Sequence, residues 1–102
     1  METPFARVIE ALDGVEQLAA SGAWSAAKVR VRELERALAR WFDARGHTDA
    51  SSVEQLWMLF ARLRSAVERN DRVGLPASVD DLRVEVAAIE AGASVVPAPS
   101  AP

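Results

Sequence analysis

The chain is expected to fold as an all-α antiparallel bundle of four helices with a disordered C-terminal tail. Two observations carry that expectation. Apolar residues recur three and four apart through four separate stretches, which keeps each set on one face of a helix. Short breaks containing glycine or proline separate the stretches, and short connections between helices favour antiparallel neighbours. The helices are expected at about 3–21, 24–45, 51–71 and 78–91. They would form a single domain over 1–92. The Ala/Pro/Ser tail 93–102 cannot build a core and is expected to be disordered.

The first helix begins with Thr3 as N-cap and Pro4 at the first helical position, where a missing N–H costs nothing. Its apolar stripe is Phe5, Val8, Ile9, Leu12, Val15 and Ala19. Asp13-Gly14 interrupts it, and such a pair can mark a turn. The stripe stays in phase across the pair, so one helix is expected, with a break at Gly14 as the alternative. Gly22 ends the helix, and Trp24 opens the next.

The second helix is the one around which the others are arranged. Ala27, Val31, Leu34, Leu38 and Trp41 fall within about 80° of arc at 100° per residue. Strand alternation would instead put Arg30, Arg32, Arg36 and Arg40 on the same face as Leu34 and Leu38. Gly46 supplies the stop, with Arg45 in the last turn favoured by the helix dipole. On the opposite side Lys28, Arg32, Arg36 and Arg40 line up four apart, with Val29 among them. The plain reading of this stripe is a solvated face blunted by Glu33 and Glu35. The sharper reading is a docking surface for an acidic partner or nucleic acid.

The third helix has Ser51 and Glu54 at capping-box spacing and a seam of Val53, Leu56, Phe60, Leu63 and Val67, widened by Trp57 and Leu59. Met58 points away from that seam and offers an adaptable apolar contact. Residues 70–77 read as a turn closed off by Pro76. In the fourth helix Ser78 and Asp81 repeat the capping spacing, and Asp80 and Asp81 suit a positive helix N-terminus. Its seam is Val79, Leu82, Val86 and Ile89. A second apolar face, Val84, Ala87, Ala88 and Ala91, means that the helix is either sandwiched inside the bundle or carries one face for something else, and Gly92 is the expected cap.

Composition narrows the function. Cysteine is absent, which excludes disulfides, thiolate catalysis and cysteine zinc sites. No basic region followed by an apolar run opens the chain, and the run Leu56 to Ala61 is too short to cross a bilayer, so a cytoplasmic protein without membrane insertion is expected. His47 stands alone in a loop, without a second ligand at metal spacing. No serine sits in a nucleophile elbow, and no glycine-rich phosphate loop exists. Neither an enzyme nor a cofactor is expected. The net charge of −3 argues against a general affinity for nucleic acid. The helix after the 46–50 loop is apolar through its first half, where a recognition helix needs polar readers. The first helix region (1–22) and the fourth helix each carry one basic residue against four acidic, whereas the second carries six against three, so much of the basic stripe would be neutralised internally if the first and fourth helices flanked the second.

At Leu18-Ala19-Ala20-Ser21-Gly22-Ala23-Trp24 the chain resembles the first interhelical junction of FliT-type flagellar export chaperones. Those are small bacterial helical proteins in which a stretch of this kind precedes a long second helix rich in Arg and Glu, as with Arg32, Glu33, Glu35 and Arg36 here. The resemblance covers about residues 5 to 70. It departs at Ala23, where the family often has an acidic residue. It implies a cytoplasmic secretion chaperone that binds a filament-cap protein and export components, with a C-terminal helix able to cover the binding surface.

The expected function is therefore a non-catalytic protein–protein interaction through an apolar helix face, with a homodimer as a further possibility. The expected contact residues are Val84, Ala88, Met58 and Val29, with Arg32, Arg36 and Arg40 steering. The alternative is a nucleic-acid-associated regulator using the basic stripe.

Overall fold

The computed structural model describes residues 3–46 and 50–94. Four helices are present: α1 (Pro4–Ala20), α2 (Trp24–Arg45), α3 (Ala50–Glu68) and α4 (Leu75–Ser94). The described residues contain no strand, and the architecture is the expected all-α antiparallel bundle. Helices α1 and α2 pair along their length, as do α3 and α4. Helix α1 also packs on α4, and α2 on α3, so α2 and α4 lie diagonally across the core.

The start of α1 follows from its first two residues. The Ala6 amide donates to Thr3 Oγ1 at 3.0 Å, and Pro4 occupies the first turn. Gly14 does not break the helix, which runs continuously from Pro4 to Ala20. It lets α2 come close instead: a Cβ there would lie 3.2 Å from Arg30 Nε. Gly22 closes the end with φ of 81°. The Ala23 amide reaches the Leu18 carbonyl at 2.8 Å and the Gly22 amide the Ala19 carbonyl at 3.0 Å, the two bonds of a Schellman ending.

The bounds of α2 are the expected ones, and its buried residues are the five of the seam, Ala27, Val31, Leu34, Leu38 and Trp41. Gly46, at φ of 86°, ends it.

The second hairpin departs from expectation at all four of its helix boundaries. Helix α3 stops at Glu68 rather than 71, because Asn70 adopts the left-handed conformation at φ of 54° and the Asp71 amide turns back to the Ala66 carbonyl at 2.8 Å. At its other end Ala50 is already helical, so Ser51 lies inside the helix and is not its cap. Helix α4 begins at Leu75 rather than 78. The Asp71 carboxylate accepts from the Gly74 amide at 2.9 Å, and Pro76 sits in the first turn instead of closing the preceding segment. Ser78 is therefore not a cap, and Asp80 and Asp81 fall in the second turn. Nor does Gly92 end α4, which continues to Ser94. His47 and tail residues 95–102 lie outside the described residues.

The core is a single cluster of aliphatic seams closed at one end by aromatics. Each fully buried Leu or Val there contributes about 1.5–3 kcal/mol. The ring pairs Phe5–Trp41, Trp41–Phe42, Phe42–Trp57 and Trp57–Phe60, with centroids 6.3, 5.1, 6.2 and 5.5 Å apart, run from α1 through α2 to α3. That end of the bundle gathers the start of α1 and the ends of α2 and α4. Trp41, 1 % exposed, is its centre.

Candidate interaction site

The four apolar positions singled out from the sequence all face solvent. Val29 is 54 % exposed, Met58 47 % and Val84 67 %, and Ala88 is exposed one turn beyond Val84. This is a selective exposure, because every residue of the α2 seam on the opposite side from Val29 is buried. These positions stand on the outer sides of three helices: Val29 on α2, Met58 on α3, Val84 and Ala88 on α4. Val73, in the turn before α4, is 91 % exposed and has no counterpart among the expected contacts. Periodicity finds outward apolar residues only inside helices, and Val73 lies outside one.

The basic stripe survives folding. Among the described residues Lys28, Arg32, Arg36 and Arg40 make no ion pair, and the condition for their neutralisation is not met, because α2 lies beside α1 and α3 rather than between α1 and α4. Four acids of α1 and α4, Asp13, Glu16, Asp80 and Glu90, are used on other arginines. Arg83 of α4 reaches Asp13 at 2.7 Å and Glu16 at 3.1 Å on α1, and Asp80 at 2.8 Å on its own helix. Burial alone would lower the Arg83 pKa, but hydrogen bonds and charge from Glu16 and Asp13 outweigh it and hold the group above its ordinary value. Glu90 of α4 takes Arg45 at 3.0 Å.

Arg36 and Arg40 also border a groove that sequence reasoning did not find. It has a volume of about 680 Å³ and runs between α1 and α2. Helix α1 contributes Pro4, Arg7, Glu10 and Ala11. From α2 come Arg30, Glu33 and Ala37 beside the two stripe arginines. Arg30 lies over Gly14 and pairs with Glu33 at 3.3 Å. The groove combines a narrow apolar floor with a net-positive rim. Arg32, Val29, Met58, Val84 and Ala88 do not line it. The structure thus separates the expected contact residues into a basic groove edge, Arg36 and Arg40, and, away from it, Arg32 and four apolar positions on three helices. The groove is hard to read from sequence because it needs the knowledge that α1 and α2 lie side by side with Gly14 beneath Arg30.

Sequence reasoning also gave no sign that Arg45 and Glu90 meet. Arg45 is mostly buried. Its Nη1 donates to Glu90 Oε1, its Nη2 donates to the Ile89 carbonyl at 3.0 Å, and its guanidinium carbon lies 5.4 Å from the centroid of the Trp41 ring. These contacts tie the end of α4 to the end of α2. Among the described residues no group of three His, Cys, Asp or Glu side chains is placed to hold a metal ion, and no helix is long and apolar enough to cross a membrane. Comparison with protein-family models, with curated proteins and with solved structures gives no match.

Proposed function

We propose that this chain is a non-catalytic interaction protein, a small cytoplasmic export chaperone or adaptor that offers an apolar helix face to a helix of a partner protein. The observation that carries the reading is the exposure of Val84, with Ala88 one turn on, along a side of α4 that the bundle leaves uncovered while Val79, Leu82 and Val86 are buried. Met58 and Val29 supply further apolar contacts, and Arg32, Arg36 and Arg40 attract an acidic partner. The Gly22-Ala23-Trp24 junction and the Arg/Glu-rich second helix support the narrower reading, a bacterial flagellar secretion chaperone of the FliT type.

A second reading is favoured by one observation. The stripe Lys28, Arg32, Arg36 and Arg40 has no ion-pair partner among the described residues, which suits phosphate binding. Glu33 and Glu35 on the same helix and the net charge of −3 count against it.

Salt and a point substitution separate the two. Tagged protein would be co-purified from nuclease-treated lysate of its native cell at low and high salt, beside a Val84→Asp/Ala88→Asp variant with unchanged helicity. A protein retained at high salt by the wild type and lost by the variant supports the chaperone reading. Nucleic acid that high salt removes, with nothing lost by the variant, overturns it in favour of the second.

A further inference from the structure

We propose that the groove between α1 and α2 receives the outward face of α4 from a second copy of this chain, so that copies associate head to tail. The argument is complementarity between two surfaces of one molecule. The groove has a floor of Ala11 and Ala37 and a rim on which Arg7, Arg30, Arg36 and Arg40 outnumber Glu10 and Glu33. Arg36 and Arg40 have no ion-pair partner among the described residues. An occupant must therefore be slim, partly apolar and acidic.

The outward face of α4 has those properties. Its crest is Val84 and Ala88, both exposed, and Asp80, Asp81 and Glu85 flank it. Arg83 is the one base on this helix. It is held by Asp13 and Glu16 of α1 and by Asp80 of its own helix, so Asp81 and Glu85 are the acids that the outward side of α4 keeps for another chain. Small crest residues allow two helix axes to approach within about 8 Å. The lengths also agree: Arg30 to Arg40 spans about 15 Å of helix and Asp80 to Ala88 about 12 Å.

The placement of these surfaces sets the mode of association. Helix α4 lies diagonally opposite α2, so its outward face and the groove look in different directions. One neighbour cannot fill the groove and cover α4 at the same time. The contact is heterologous, and it extends into a ring or an open array. A phosphate backbone is the poorer occupant because Glu10 and Glu33 stand in the walls. The inference goes beyond partner binding and shares with it Val84, Ala88, Arg36 and Arg40, which self-association would cover until a partner displaced the neighbouring copy.

The test uses the purified full chain with no partner present, so its outcome is independent of the co-purification. Sedimentation velocity over a wide concentration series should show the average mass rising past that of a dimer, and falling again at high salt. Arg36→Glu/Arg40→Glu and Asp81→Lys/Glu85→Lys variants, checked for unchanged helicity, should each be monomeric alone. Mixed in equal amounts they should regain association, because the reversed groove then meets the reversed α4 face and the native groove meets the native one. A wild-type chain that stays monomeric throughout, a plateau at a closed dimer, association indifferent to salt, or a mixture that remains monomeric would each overturn the proposal. The wild-type series decides the matter alone if a variant fails to fold.

Discussion

The Trp41 indole N–H donates to Glu90 Oε1 at 2.8 Å, joining the centre of the aromatic cluster to the last turns of α4. The same oxygen accepts from Arg45 at 3.0 Å. One carboxylate thus satisfies a buried indole donor and an arginine that stacks on the indole's ring. The second outward face of α4 invites the idea of a detachable cover, but this end of the helix has a specific attachment. Any release of α4 must break the contact with Glu90 and expose Ile89.

Glu90→Ala should therefore cost about 1–3 kcal/mol, since it leaves the Trp41 donor buried without a partner. Glu90→Gln keeps a carbonyl for the indole and loses only the charge opposite Arg45, so its loss should be smaller. Urea unfolding followed by tryptophan fluorescence measures both. Hydrogen exchange should show faster opening in the last turns of α4 for the alanine variant, with α1 less affected. Equal effects from both substitutions would mean that the Arg45 pair, rather than the indole, dominates.

The seams are legible in the sequence because burial follows helical period wherever a helix has one partnered side. All five seam residues of α2 are buried, as are Leu56, Phe60, Leu63 and Val67 of α3. The boundaries around Asn70 and Pro76 are less legible. A proline lacking its N–H fits the first turn of a helix as well as the stretch after one, and only the Asp71–Gly74 bond decides between them. The exposed positions Val29, Met58 and Val84 follow from the same periodicity. The pairing of Glu90 with Arg45 and the groove beside Arg36 do not. Periodicity says which side of a helix faces inward, not which charge on a distant helix stands opposite.

Gly14→Ala tests the close approach of α1 and α2. Replacing a mid-helix glycine with alanine is worth about 1 kcal/mol in helix propensity. The new methyl would meet the Arg30 side chain at 3.2–3.4 Å, tighter than an ordinary contact. That side chain is 41 % exposed and flexible, so it can shift outward. Thermal unfolding should show a net gain of about 0.5 kcal/mol. Gly14→Leu cannot be accommodated in this way and should lower stability.

Asn70 ends α3 at φ of 54°, a conformation in which glycine has no steric penalty and alanine has one. Asn70→Ala should destabilise by about 1 kcal/mol, whereas Asn70→Gly should be neutral or slightly stabilising. The midpoint of urea unfolding, with its slope unchanged, reads the difference. If alanine matched glycine, the left-handed ending of α3 would be wrong.

Arg83 links α4 to α1 through Asp13 and Glu16, and Arg83→Met removes that link while keeping much of the aliphatic stem. The pair members are partly exposed, so screening limits the loss to about 0.5–1.5 kcal/mol at low salt and less at high salt. The sign of its pH dependence follows from the raised arginine pKa. A raised value means that the contribution of the arginine is complete below its ordinary range and is lost only as pH rises through the folded value, in strong alkali. From about pH 6 to 9 the stability difference between wild type and Arg83→Met should therefore stay constant. Urea unfolding at several pH values measures it, and a difference that changed across that range would place the titrating group somewhere other than Arg83.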